Sequence, residues 1–103
     1  MDLIIKQHDT APPLVATLTD GGAVVDLSTA SVVKVIGSQN GAVLFTTTTT
    51  GSSVGVVTRP WVTGETDTVG TIKVEVEVTW ASGKVQTFPN DNYLTVRIRP
   101  DLG

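Results

Sequence analysis

TIKVEVEVTW, residues 71–80, carries an apolar side chain at every second position. Ile72, Val74, Val76, Val78 and Trp80 form one set, and Thr71, Lys73, Glu75, Glu77 and Thr79 the other. Successive side chains of a strand point to opposite faces, so this segment has one dry face and one wet face. A strand buried on both sides reads instead as a continuous apolar run, so the pattern indicates an antiparallel sheet covered on one face only. A helix would spread the same residues around its whole circumference. Valine and threonine recur along the rest of the chain, and both are β-branched residues that favour pleated sheet.

Working outward, residues 3–7 read as a short first strand, stopped by Pro12 and Pro13, which lack an N–H and restrict the residue before them. Residues 1–13 therefore form an N-terminal strand or arm. Residues 14–19 alternate, Asp20-Gly21-Gly22 turns the chain, and residues 23–27 return as a hairpin partner. A strand over 32–36 leads to Gln39-Asn40-Gly41, where Asn and Gly accept positive φ, and residues 42–47 come back from it. The threonine run 46–50 fits a fraying strand end, a loop or an edge ribbon. Residues 54–59 form a strand ended by Pro60, and 61–69 a long connection with room for one helical turn. After the opening stretch, 84–88 folds back, Pro89-Asn90-Asp91 bends the chain, and 93–99 alternates again.

This amounts to about eight or nine short strands separated by turn chemistry, an all-β chain. The expected fold is an immunoglobulin-like antiparallel β-sandwich, one domain over residues 1–103, with a small closed barrel as the alternative. Its inner faces would carry Leu14, Ala16, Leu18, Val33, Val35, Val74, Val76, Val78, Leu94, Val96 and Ile98.

Length and composition narrow the function. The 103 residues have room for one core, and 40% hydrophobic with 17% charged residues excludes a disordered chain. Without cysteine there is neither a disulfide framework nor a Cys-based zinc site. A net charge of −3 argues against a nucleic-acid partner, which needs a basic stripe. Arg97 and Arg99 are the nearest basic pair, expected beside Glu75 and Glu77. No apolar stretch approaches the roughly 18 residues that span a bilayer, and the opening MDLIIKQHD lacks the pattern of a signal peptide. Neither membrane association nor Sec export is expected.

Little of the chemistry points to catalysis. His8, the one histidine, reads as an exposed loop residue, since nothing nearby in sequence would orient it as a base. Asp20, Asp26, Glu65, Asp67, Asp91 and Asp101 are scattered at turns, where Asp commonly bonds the backbone, so no metal and no cofactor is expected. Glu75 and Glu77 share one strand face and read as a solvated surface rather than a glycosidase pair. Trp80 continues an apolar face as core or rim. Trp61, between Pro60 and a polar loop, suits either a protein contact or local packing.

Both ends of the chain carry a recurring set of motifs. The first runs K-Q-x-D-T-x-P-P from Lys6 to Pro13, then L-T-D at 18–20 and V-D-L at 25–27. The second runs G-T-x-K-V-E-x-E-V-T from Gly70, then T-F-P-x-D at 87–91 and Y-L-x-V at 93–96. Over about residues 4–36 and 67–102 the chain resembles the N-terminal domain of phage baseplate upper proteins; the middle departs freely. The resemblance implies an immunoglobulin-like virion module of tailed phages and prophages that joins receptor-binding parts to the tail tip, with no catalytic residue. With nothing after Gly103, the expected role shifts to an adaptor, a tail-tip, baseplate or head–tail component, or a capsid decoration protein. A free carbohydrate-binding sandwich using Trp61 and Tyr93 is the alternative from another class.

On this reading the protein sits in the virion, is made in the bacterial host cytoplasm, and meets other virion proteins in many symmetric copies. Contacts are expected from the arm (Ile4, Lys6, His8, Pro12), the threonine segment (Thr48, Thr50) and the long loop (Trp61, Glu65, Asp67).

Overall fold

A computed structural model describes residues 2–89 and 93–102, so the bend at Asn90 and Asp91 lies outside the described residues. The strands are β1 (Asp2–Lys6), β2 (Leu14–Thr17), β3 (Thr19–Asp20), β4 (Ala23–Val24), β5 (Ala30–Gln39), β6 (Ala42–Thr49), β7 (Val56–Arg59), β8 (Gly70–Trp80), β9 (Val85–Phe88) and β10 (Leu94–Arg99). No described residue is helical, and residues 63–66 form turns where one helical turn was expected.

The alternating stretch is β8, and it is the spine of a 6-stranded sheet ordered β1-β10-β8-β5-β6, with β9 also paired to β8. β5 flanks one side of β8 along nearly its whole length. The other side is shared: β10 covers Gly70 to Val74, and β9 covers Val76 to Thr79. The strand returning from β8 is thus broken around Pro89 and resumes further along. Ile72, Val74, Val76 and Val78 are 0% exposed. Burying side chains of this kind contributes about 1.5–3 kcal/mol each.

The covering layer is small. β2 and β7 pair as a 2-stranded sheet, and β3 and β4 form a separate ribbon. Leu14, Ala16, Leu18 and Val57 join the same core as Val33, Val35, Val96, Ile98, Phe88 and Ile5 from the main sheet. The expected inner-face set holds, with Leu94 only partly buried at its margin. The main sheet is open, ending at β1 and β6, so the closed barrel falls away.

Two expectations about pairing change. β1 pairs β10 in parallel, so the sheet is mixed rather than antiparallel throughout. Arg97 sits opposite Thr71, Arg99 beside Lys6, and Glu77 opposite Lys34, so the anticipated Glu–Arg ladder does not form. The tight return after β8 is the cause: it sets Glu77 opposite Thr87 on β9, so the chain has passed both glutamates before it reaches Arg97 and Arg99.

At the β5–β6 hairpin Asn40 (φ 55) and Gly41 (φ 79) take the left-handed conformations that this turn requires. Beyond it a bulge at Gly37/Ser38 shifts the register. The ring of Phe45 on β6 lies flat against Gly37, where an added Cβ would meet its Cζ at 2.3 Å. No side chain fits between them. Gly37→Ala is expected to lose about 1–3 kcal/mol by overpacking, read as a lower urea midpoint; unchanged stability would show that the ring has room to move.

Candidate docking surface

At the Phe45 end a charge is buried between the layers. Val57 and Arg59 alternate with exposed Thr58 on β7, so Arg59 points inward and is 3% exposed. Its guanidinium lies 3.7 Å from the centroid of the Phe45 ring and 5.7 Å from that of Trp61. Phe45 and Trp61 meet edge to face, centroids 5.9 Å apart. Glu65 receives Arg59 in fork-to-fork geometry, Nη1 to Oε1 at 2.9 Å and Nη2 to Oε2 at 2.5 Å. Arg59 Nε donates to Thr47 Oγ1 at 2.7 Å, and Nη1 to the Pro60 carbonyl at 3.3 Å.

Burial alone would raise the Glu65 pKa. The Arg59 guanidinium and the Val62 N–H, which donates to Oε1 at 2.7 Å, outweigh it and hold the carboxyl below its ordinary value. The pair ties β7, β6 and the 61–66 loop together.

This cluster corrects two of the anticipated contacts. Trp61 is 5% exposed and packs in the core, so it offers a partner little surface. Its indole N–H finds no acceptor among the described residues. Glu65 is half-buried and engaged by Arg59, which leaves it little to offer a partner. Tyr93 is exposed, with Lys73 Nζ 5.3 Å from its ring centroid, while Trp61 is buried, so the two do not make one exposed platform. Arg59 was read only as the end of a strand. Its alternation with Val57 was the signal that placed it inside.

The other named residues are exposed. Ile4 (60% exposed) and Lys6 lie on β1 at one margin of the main sheet; Thr48 on β6 and Thr50 just beyond it lie at the other. The margins are separated by the width of the sheet, about 19 Å at 4.8 Å per strand. Pro12 is exposed next to a cis Ala11–Pro12 bond.

His8 and Asp67 come together with Asp101 at the end where the arm meets the long loop. His8 has φ 70 and is held there by its N–H to the Thr66 carbonyl, while Thr66 Oγ1 donates to the Asp9 carbonyl at 2.8 Å. Its imidazole Nδ1 is 3.1 Å from Asp101 Oδ2, and Nε2 is 3.8 Å from Asp67 Oδ1. Gln7 Nε2 donates to the Asp67 carbonyl at 2.6 Å. No cluster of His, Cys, Asp and Glu among the described residues is arranged to hold a metal.

Compared with family models, curated proteins and solved structures, the chain matches none.

Two outcomes follow from these contacts. Removing one partner of the buried pair leaves a charge unpaired, so Glu65→Ala is expected to cost about 3 kcal/mol, whereas Arg59→Met/Glu65→Leu should recover most of that loss. Urea unfolding of both variants measures it, and an equal loss in each would refute the pairing argument. The Asp101 hydrogen bond, reinforced by the Asp101, Asp67 and Asp9 charges, raises the His8 pKa above its ordinary 6.5 despite slight desolvation. A raised folded value means that the clasp's contribution is full below about pH 6.5 and fades as pH rises through the folded value. A proton NMR titration should give a His8 midpoint above 6.5 that falls in Asp101→Asn; a midpoint that ignores this substitution counts against the clasp.

Proposed function

We propose that this chain is a structural module of a tailed-phage or prophage particle: a small adaptor, tail-tip, baseplate or head–tail component that acts by docking to other virion proteins. The observation that carries it is the open main sheet, whose two end strands leave one flank each without a strand partner among the described residues. A free sheet edge can be continued by a neighbour's strand. In an assembly of many copies, weak contacts of that kind add up through multivalency. The motif resemblance at both ends of the chain points to the same role.

The immunoglobulin-like sandwich is the fold reading that accompanies this function. A main sheet faced by the β2–β7 sheet over one core supports it; the parallel β1 is a departure from that pattern. Capsid decoration differs only in where on the particle the module sits. We read docking rather than turnover in it.

A tagged copy expressed while particles are produced should co-sediment with them and label one fixed position in electron micrographs. A tag confined to the soluble host fraction would overturn the proposal.

A further inference from the structure

The β1 margin of the main sheet gathers positive charge. Lys6 on β1 lies opposite Arg99 on β10, and Ile4 lies opposite Arg97. Cross-strand partners share a face. Ile5, Val96 and Ile98 take the inner one, so Ile4, Lys6, Arg97 and Arg99 stand together on the outer face, and all four are exposed. Three of the 7 Lys and Arg residues therefore meet at one margin of a chain whose net charge is −3. None of the three has an ion-pair partner among the described residues; Asp67 and Asp101, carboxylates at this end, face His8 instead. A lysine commonly guards an edge strand against indiscriminate pairing. Arg97 and Arg99 are not explained that way, because β10 is an inner strand flanked by β1 and β8.

The backbone beside these cations is open. Gln7 N–H donates to the Arg99 carbonyl, so by alternation Ile5 and Leu3 also turn their backbone groups toward β10. Ile4 then turns its N–H and C=O to the outer flank, where no strand pairs among the described residues. The Asp9 N–H reaches the Lys6 carbonyl and closes that flank at its far end.

We propose that the outer flank of β1 receives an extended acidic segment of another protein, added as a strand with its carboxylates on the outer face beside Lys6 and Arg99. The open backbone selects a polypeptide, and the unpaired cations select carboxylates on it. Like charges directly opposite destabilise a sheet, so an anion beside Lys6 and Arg99 also relieves their mutual repulsion. The backbone of the added strand lies about 5 Å from that of β1 and about 10 Å from that of β10, within the span of the long side chains involved. Ile4, 60% exposed, gives the same segment an apolar contact. Nucleic acid fits less well, because three cations neutralise few phosphates on an otherwise acidic chain. This inference rests on the edge-docking reading and names the chemistry of one edge's occupant.

The test uses the full-length chain and a blocked peptide of about seven residues, close to an ordinary strand length, that alternates glutamate with valine. Titration followed by amide NMR at about 50 mM salt should give a dissociation constant between about 10 μM and 1 mM. The Ile4 amide should become protected from hydrogen exchange, which an ionic contact without strand pairing would not cause. A peptide with glutamine for glutamate should bind at least about tenfold more weakly, and salt at about 0.5 M should weaken the glutamate peptide. Lys6→Glu/Arg99→Glu should lose the glutamate peptide and take up its lysine counterpart instead. Circular dichroism and urea midpoints close to those of the unchanged chain exclude a folding defect; where the variant folds poorly, the peptide series on the unchanged chain decides. No binding at about 5 mM peptide overturns the inference, as does binding indifferent to glutamine or to the charge reversal, or binding without protection at Ile4. A single-stranded oligonucleotide that binds as tightly as the glutamate peptide would overturn it too, by making the patch a general polyanion site. A peptide that fails while tagged copies still enter particles would sink the acidic strand and leave the docking role standing; binding by a chain that never enters particles would do the reverse.

Discussion

The architecture depends on one constraint: β8 must keep one face entirely dry while hydrogen-bonding along both flanks. Ile72, Val74, Val76 and Val78 expose nothing to solvent, and every other strand of the main sheet is placed by reference to them. β5 satisfies one flank alone because it is nearly as long as β8. β9 and β10 divide the other, and β1 adds in parallel to the outer flank of β10.

The second constraint comes from the small size of the cover. β2 and β7 have four residues each, too little to close the sheet end that carries Phe45. The sequence closes it with a buried cation. Arg59 lies against Phe45 with Trp61 nearby, and Glu65, Thr47 and the Pro60 carbonyl receive its N–H groups. Such a pair contributes modest net stability for its desolvation cost, but it does specify geometry. The 61–66 loop delivers Glu65 to both guanidinium nitrogens, and it also brings Thr66 and Asp67 to the arm at His8.

Much of this was legible because it is local. Period-two alternation located β8 and β10, and Asn40-Gly41 located its hairpin with the correct register of turn residues. The ends of β5 were read short because Gly37 and Ser38 look like turn residues, while Gly37 in fact sits mid-strand to admit the Phe45 ring. What was not legible depends on residues far apart. The parallel joining of β1, the displacement of Arg97 and Arg99 past the glutamates, and the clasp between His8 and Asp101 are properties of register, which composition does not carry. The direction of Trp61 and Arg59 was left open by the sequence because both sit beside Pro60, where a chain usually turns to solvent, and here it turns inward.

The asymmetry of the two sheet margins follows from the same economy of charge. With few charged residues to place, the chain puts Lys6, Arg97 and Arg99 on or beside β1, and His8, Asp67 and Asp101 at its end. An edge so marked resists indiscriminate strand addition, because any incoming strand must match its charges and the clasped arm beyond it. The neutral β6 edge is costly to leave free, since exposed β-branched residues without charge are the composition of sheets that propagate. β7 partly answers that cost, since the chain just beyond β6 bridges it at Val57 and Arg59 holds Thr47. The two margins are thus protected differently, one by charge and the other by a strand of the covering layer.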